Sequence, residues 1–377
     1  MKYNILGANG KYSEYQAQRV TKIVPAQSPT WAASAVLSNQ LYREGIIVGA
    51  RVHASATATL TATAVADYSR RVLDGVSIIG DNKNYFSLTG GVQLGRMLAL
   101  LNMCDFECVA LGQQADVGST SFDMDFGIHF GSSPKVPFDF GSYPIGIPAQ
   151  ALANLNMIVN CPVAAATDAN GHITAGTYDF EIDEIQGIPI PANLWVPGAY
   201  NTIFTTGTAV GNYGQLFNVP TGAYVRRIIL MTDDNTATTP LRTDASVSGV
   251  QLTIPKWQNA VVMQQTWMNL KYATARKYGI AGTNGDGALG ALATTRTLPG
   301  SFGDLISANM PLGFAIIDLR DYFNPVLGMN LIQDPTTGYT YQQGDVNLGF
   351  TLTATAGTLY ILWDVLYPVD PQLVGHM

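Results

Sequence analysis

Residues 54–64 read ASATATLTATA, and this run decides the fold class. Ser55, Thr57, Thr59, Thr61 and Thr63 fall on one side, and Ala54, Ala56, Ala58, Leu60, Ala62 and Ala64 on the other. Strict period two is the signature of a pleated strand, and β-branched threonine suits a half-buried sheet surface. The strand pattern begins near residue 45. A second run, Ser121 to Phe130, alternates just as strictly. Phe122, Met124, Phe126, Ile128 and Phe130 face one way, and Asp123, Asp125 and His129 the other. Neither run fits a helical period, so the chain reads as mainly β.

Working outward, Arg71–Ile79 reads as a strand that stops at the turn signal Gly80-Asp81-Asn82. Residues 92–103 (VQLGRMLALLNM) carry apolar residues at helical spacing and read as a short helix. Strands are expected at Ala151–Val159 and Thr177–Ile185. Residues 187–198 (GIPIPANLWVPG) hold three prolines, which have no N–H for a ladder, and this run reads as an inter-domain linker. Beyond it, strands are expected at Tyr224–Met231, Val250–Ile254, Phe314–Leu319, Val346–Ala356 and Thr358–Val369, with one long helix at Trp257–Tyr278. A short helix is expected at about residues 11–22. The division that follows is an N-terminal arm at 1–30, a first sandwich at 31–190, a linker at 191–198 and a second sandwich at 199–377. Two matches between the halves hint at duplication. Arg70-Arg71 running to Asp81-Asn82 echoes Arg226-Arg227 running to Asp234-Asn235, and Asn156-Met157-Ile158 echoes Asn330-Leu331-Ile332.

The composition points away from a freely diffusing enzyme. The 377 residues exceed what one hydrophobic core usually serves. Only 12% are charged, about half the usual share. The 18 Tyr, 14 Phe and 5 Trp need covering, and interface cores are poor in charge and rich in aromatics. The net charge is −7, and 20 scattered basic residues form no cluster able to displace counterions from phosphates, so no direct nucleic-acid contact is expected. Met1–Gly10 shows no apolar core of a secretory signal, and no run approaches the ~18 apolar residues of a membrane span. Synthesis in a cytosol is the expectation.

Site chemistry is sparse. The histidines His53, His129, His172 and His376 form no H-E-x-x-H pair. His129 beside Asp123 and Asp125 reads as a plain sheet-face histidine. Cys104 and Cys108 lack a second ligand pair, so they read as free thiols, and with Cys161 the count is odd. The glycine run 279–290 (GIAGTNGDGALG) lacks a Gly-Lys-Ser/Thr end; Gly282, Asn284 and Asp286 mark an exposed loop instead. Glu181, Asp183 and Glu184 are the carboxylates from which a pair for glycoside cleavage would be drawn, with a solvated or interface strand edge as the plainer reading. No catalytic residue, metal or cofactor is expected. The arm carries Lys2, Lys11, Tyr12, Tyr15, Arg19 and Lys22 against the single acid Glu14. Such an arm suits an anionic membrane surface or a protein partner.

Three stretches carry a family resemblance: GIIVGARVHASATATLTATA at 45–64, RRVLDGVSIIGDN at 70–82, and GFAIIDLRDYF at 313–323 leading to VNLGFTLTATAGTLYILWDVLYPV at 346–369. In layout and length the whole chain resembles the double jelly-roll major capsid proteins of tailless icosahedral viruses with an internal membrane, bacteriophages among them. The resemblance implies an all-β chain of two tandem eight-stranded jelly rolls with short helices and an N-terminal arm. It implies a structural homotrimer forming a pseudo-hexagonal capsomer that touches neighbouring capsomers, minor capsid proteins and the internal membrane through an inward arm. It places the protein in the virion after synthesis in the host cytoplasm. The alternative is a secreted β-sandwich that binds or processes carbohydrate.

Overall fold

In a computed structural model the chain divides into two units, Met1–Tyr200 with Leu366–Met377, and Asn201–Val365. The structure describes residues 2–24, 31–62, 68–105, 118–131, 143–163, 171–207, 211–234, 239–255, 260–278 and 312–376. The first unit is built from β1 (Lys2–Leu6), β2 (Tyr12–Gln16), β3 (Gln18–Ile23), β4 (Val36–Gln40), β5 (Gly45–Leu60), β6 (Gly75–Gly80), β7 (Lys83–Leu88), β8 (Gly118–His129), β9 (Ile147–Pro148), β10 (Asn156–Asn160), β11 (Gly171–Gln186) and β12 (Trp195–Pro197), with α1 (Gly95–Asp105) between β7 and β8. The second is built from β13 (Ala199–Thr206), β14 (Gly211–Asn218), β15 (Tyr224–Asp233), β16 (Val247–Ile254), β17 (Ala260–Thr266), β18 (Phe314–Asp318), β19 (Met329–Asn330), β20 (Asn347–Leu352) and β21 (Gly357–Pro368), with α2 (Trp267–Tyr278) between β17 and β18. The unit boundary falls inside β13, after Tyr200, and inside β21, after Val365.

Both units follow one eight-strand plan. In the first, the sandwich strands in chain order are β3, β4, β5, β6, β7, β8, β10 and β11. They form sheets of order β3-β11-β5-β8 and β4-β10-β6-β7. In the second, the strands are β13, β14, β15, β16, β17, β18, β20 and β21, in sheets β13-β21-β15-β18 and β14-β20-β16-β17. Each unit is thus an order one-eight-three-six beside an order two-seven-four-five, which is the jelly-roll arrangement. In each, the helix is inserted between strands five and six.

Alternation sets which face is core. Along β5, Ala54, Ala56, Ala58 and Leu60 are buried, and Ser55, Thr57 and Thr59 are half-buried. Small alanines leave room for the aromatic side of β8, where Phe122, Met124, Phe126 and Ile128 are buried, as is Phe130 just beyond. Polar tips inside the core find partners. The Tyr178 hydroxyl donates to the Val72 carbonyl at 2.7 Å, and the Trp363 Nε1–H donates to Thr202 Oγ1 at 3.0 Å.

Each helix also covers the outer edge of the sixth strand. The buried Asn102 amide of α1 donates to the Gly127 carbonyl of β8 at 2.7 Å and accepts the Gly127 N–H at 2.8 Å. In α2 the Thr274 hydroxyl accepts the Ile316 N–H of β18 at 2.9 Å, and its single proton faces the Leu270 carbonyl one turn back at 2.9 Å, with the Ile316 carbonyl farther off at 3.2 Å. Asn102 thus satisfies both backbone groups of its edge residue, and Thr274 the N–H of its own.

Several local expectations are corrected. Residues 11–22 are not helical. β2 pairs with β1, and β3 pairs with β11 from Gln18↔Gln186 to Ile23↔Glu181, so ladder pairing overrides the local preference. The helix expected at Trp257–Tyr278 starts only at Trp267. Ahead of it, Ala260–Thr266 ladders onto β16, and the Thr266 hydroxyl accepts the Asn269 N–H at 3.2 Å as a helix start. Arg70 and Arg71 sit in a 3-10 turn, Tyr68–Val72, before β6. The Arg71 guanidinium donates to Gln93 there. Arg226 and Arg227 lie mid-strand in β15, the third strand of its sandwich. Asn156 opens the seventh strand of the first unit, whereas Asn330 lies in the short β19, outside the eight-strand plan. The topology repeats, but the quoted sequence matches do not fall on equivalent strands. The proline run at 187–198 is packed: Ile188, Ile190, Leu194 and Val196 are buried, and β12 pairs with β21 from Trp195↔Pro368 to Pro197↔Leu366.

Gly328 tests the turn before β19. Its φ is +81°, and an added Cβ would lie 2.2 Å from the Val225 carbonyl oxygen. Left-handed strain and overpacking together predict that Gly328→Ala destabilises the protein by about 2–5 kcal/mol, measured as a lowered urea midpoint.

Candidate assembly surfaces

The outer face of the β3-β11-β5-β8 sheet is a polar ladder. Pairing places Ser55 opposite Asp123, His53 opposite Asp125 and Arg51 opposite Glu181. His53 Nδ1 lies 2.8 Å from Asp125 Oδ1, Arg51 Nη1 lies 3.0 Å from Glu181 Oε1, and Ser55 donates to Asp123. Arg19 closes the row on Asp183 at 2.9 Å. The Asp123 and Asp125 carboxylates thus meet His53, while His129 Nδ1 lies over Gly49 together with Asp183. Among the described residues no group of three His, Cys, Asp or Glu side chains is placed to hold a metal ion. A bulge between Asp183 and Glu184 turns Glu184 into the protein, where it accepts the Glu44 N–H at 2.7 Å and a Gln186 amide N–H at 2.8 Å. Glu181, Asp183 and Glu184 are therefore each engaged, two of them by arginines.

The arm residues separate into two groups. Lys2 opens β1, Lys11 and Tyr12 are exposed on the β1–β2 hairpin, and Tyr15 is half-buried. Arg19 and Lys22 belong to β3 and are held by acids. Lys22 pairs with Glu44 and lies 3.4 Å from Glu184 and 4.7 Å above the Tyr42 ring. Burial works against the Lys22 charge, but Glu44 and Glu184 outweigh it and hold the amine above its ordinary value. Gly282, Asn284 and Asp286 lie outside the described residues.

In the second unit a buried ionic group emerges that no sequence spacing announces. Asp364 of β21 accepts from Arg226 at 2.6 and 3.1 Å and from Arg227 at 2.8 Å. Asp318, opposite Arg227 in the β15–β18 ladder, accepts from Arg320 at 2.7 and 2.9 Å and from the Tyr278 hydroxyl at 2.6 Å, with Lys277 at 2.7 Å. Burial alone would raise both carboxyls. The neighbouring cations and donors win, and both are held below the usual carboxylate range.

By contrast, the strands of the β14-β20-β16-β17 sheet contain no Asp, Glu, Lys, Arg or His. Edge strands are where most proteins place such charges to deter further pairing. Among the described residues, the Val, Leu and Ile side chains that are at least half exposed all sit on terminal strands: Ile23 at 68% on β3, Val36 at 66% on β4, Leu216 at 55% on β14 and Val261 at 50% on β17. These outer edges have no further ladder partner among the described residues.

The structure matches that of the STIV MCP with a TM-score of 0.66 over 93% of this chain and 97% of the other, at 13% identity. The atomic structure of Sulfolobus Turreted Icosahedral Virus gives 0.67 over 94% and 95%, at 12% identity. The PBCV-1 virus capsid gives 0.51 over 95% and 96%, at 10% identity. The chain has the double jelly-roll fold. No protein-family model and no curated protein matches its sequence. The fold is therefore shared over nearly the whole of each chain while few residue identities are.

Two expectations follow from the buried ionic group. Asp364→Asn removes the charge that compensates two buried guanidinium groups, and breaking such a pair costs about 3–5 kcal/mol. Thermal denaturation will show a correspondingly lower midpoint, whereas Asp123→Asn on the exposed ladder will shift it by less than about 1 kcal/mol. Because Asp318 and Asp364 have depressed pKa values, their contribution is complete above about pH 4, where the unfolded carboxyls are ionised, and is lost as pH falls below that. Stability measured by denaturant titration will therefore fall between about pH 4 and pH 2, and Asp364→Asn will flatten that slope.

Proposed function

We propose that this chain is the major capsid protein of an icosahedral virus, a structural subunit and not an enzyme. The observation that carries the reading is the match of two complete jelly rolls, over nearly the full length of both chains, to coat structures of icosahedral viruses. In this reading three copies form a pseudo-hexagonal capsomer, because each chain supplies two topologically equal sandwiches and six such bodies approach sixfold symmetry. Capsomers contact one another and minor capsid proteins, and the subunit resides in the virion after synthesis in the host cytoplasm.

The arm reading follows from the first unit. Both termini meet on the packed 187–198 segment. The Ala192 N–H donates to the Leu6 carbonyl at 2.8 Å, and the Ile190 N–H donates to the His376 carbonyl at 3.0 Å. The β1–β2 hairpin springs from that place and carries Lys11, Tyr12 and Tyr15. We assign it the inward contact, with an internal membrane surface or a minor capsid protein. Arg19 and Lys22, already held by acids, position the arm and do not reach a partner.

Mass photometry of the purified chain, with negative-stain imaging, tests the reading. A particle of three chain masses with a near-hexagonal outline is expected. A chain that remains monomeric at micromolar concentration overturns it, and binding or hydrolysis across a glycan panel would favour a carbohydrate-directed sandwich instead.

A further inference from the structure

The first unit contains an open groove of about 530 Å³, apart from the surfaces described above. Two short stretches of chain line it. Gln40 ends β4 and is followed by Leu41, Tyr42, Arg43 and Glu44; Gln150 lies in the 3-10 turn Ala149–Ala151, which ends at Leu152. The walls are braced from within the protein. The Leu41 N–H donates to the Leu155 carbonyl at 2.9 Å, and Arg43 Nη1 donates to the Leu152 carbonyl at 2.6 Å and to that of Ala153. The Glu44 N–H donates to Glu184 at 2.7 Å. A pre-formed concavity of this size is the usual form of a small-molecule site.

The charges of the groove cancel. Arg43 and Glu44 line it, and Lys22 and Glu184 stand beside Glu44, so two cations meet two carboxylates. Glu44 is engaged by Lys22 and by the Gln186 amide at 2.9 Å. No surplus of either sign is left to offset the desolvation of a charged ligand. Neutral hydrogen-bonding capacity, by contrast, is uncommitted. Among the described residues the Gln40 amide and the Tyr42 hydroxyl have no hydrogen-bond partner, and Arg43 uses only Nη1. Gln150 shows the need most clearly. Its Nε2 donates to the Ile188 and His376 carbonyls at 3.0 and 3.3 Å, which fixes the orientation of the amide. Its Oε1 is then buried with no donor. A buried acceptor without a donor is rare in a folded chain and marks a place for a water or a ligand.

The ligand that meets these groups is constrained. Gln150 Oε1 needs a donor, Arg43 an acceptor, and Gln40 and Tyr42 can use both. A hydroxyl is donor and acceptor at once, so several hydroxyls on one small frame answer all four. The Tyr42 ring gives such a frame an apolar wall beside its own polar tip. We propose that this groove binds a neutral polyhydroxylated ring, a hexose unit, with Gln40 and Tyr42 at the rim and Gln150 at the floor. The site does not depend on the capsid reading, but the source of the sugar does. Gln150 ties the groove to the 187–198 segment from which the β1–β2 hairpin springs. If that hairpin meets a membrane, the hexose is carried on a lipid headgroup; otherwise it is carried on a glycan.

The test is saturation-transfer NMR on the full-length chain with the methyl glycosides of glucose, galactose and mannose, and with inorganic phosphate as the charged competitor. Transfer to at least one glycoside is expected, undisturbed by phosphate. Tyr42→Phe, which keeps the ring, and Gln40→Ala, at an exposed position, should each weaken that binding at least tenfold with an unchanged thermal midpoint. No transfer to any glycoside, equal transfer in both variants, or displacement by phosphate would overturn the proposal. Flotation with phosphatidylcholine vesicles, with and without a lipid bearing the preferred sugar, separates the sources. Sugar-dependent flotation assigns the headgroup, and glycoside binding without flotation assigns a glycan; both support the site. The capsid reading is judged separately. Glycoside binding by the three-chain particle is the expected result, and such a particle that binds no glycoside overturns the groove alone. Glycoside binding by a chain that stays monomeric overturns the capsid reading and leaves the groove standing.

Discussion

A backbone edge that ends a sheet must find partners or be guarded, and most of what is distinctive in this chain follows from that demand. Each jelly roll has two four-stranded sheets and therefore four edges to settle. The sixth-strand edges are settled by the inserted helices. Asn102 and Thr274 are different residues on different helices, yet each accepts the N–H of one edge residue, and Asn102 serves that residue's C=O as well. The edge of β7 is settled by a parallel strand. The edges of β3, β4, β14 and β17 remain, and they are where the most exposed aliphatic side chains stand.

The small number of charges is distributed to match. On the β3-β11-β5-β8 sheet, charged and hydroxyl side chains bind one another across strands and seal a polar outer face. In the second unit, three arginines are satisfied around Asp318 and Asp364 beneath the surface. Little charge is left over for the β14-β20-β16-β17 sheet, and its strands have none. A surface of this kind tolerates close approach by another neutral surface, because nothing ionic must lose its water.

The strands were legible where alternation was strict and the two faces differed in chemistry. Ala54 to Leu60 and Phe122 to Phe130 show their buried and open sides directly. The N-terminal strands were not legible, because Gln18 to Ile23 mixes polar and apolar residues on both faces and is held by its ladder with β11. The strand before α2 was hidden for a similar reason. Ala260 to Gln265 continues without a break into helix-favouring residues, and only the hydroxyl of Thr266 marks the change. The ionic group around Asp364 gave no signal at all, since Arg226 and Asp364 are 138 residues apart and meet only through the sheet order.

The two sandwiches also explain why sequence self-similarity was a poor guide to the repeat. The plan requires alternation, a turn at each strand end and a helix that covers one edge. None of these fixes an identity at any position. Asn102 and Thr274 perform one task with unlike side chains, and the arginine pairs that look alike, Arg70-Arg71 and Arg226-Arg227, occupy a turn and a strand interior. The same freedom operates between proteins, where a TM-score of 0.66 coexists with 13% identity. What the two sandwiches of this chain share is the strand order, because each edge closure depends on which strand stands at the margin. A change of order would strip Asn102 or Thr274 of its strand partner and leave buried backbone groups unmet, at about 1–3 kcal/mol each. Side chains that merely fill the core can be exchanged at much lower cost when volume is kept, so the two sandwiches can hold one order with unlike residues.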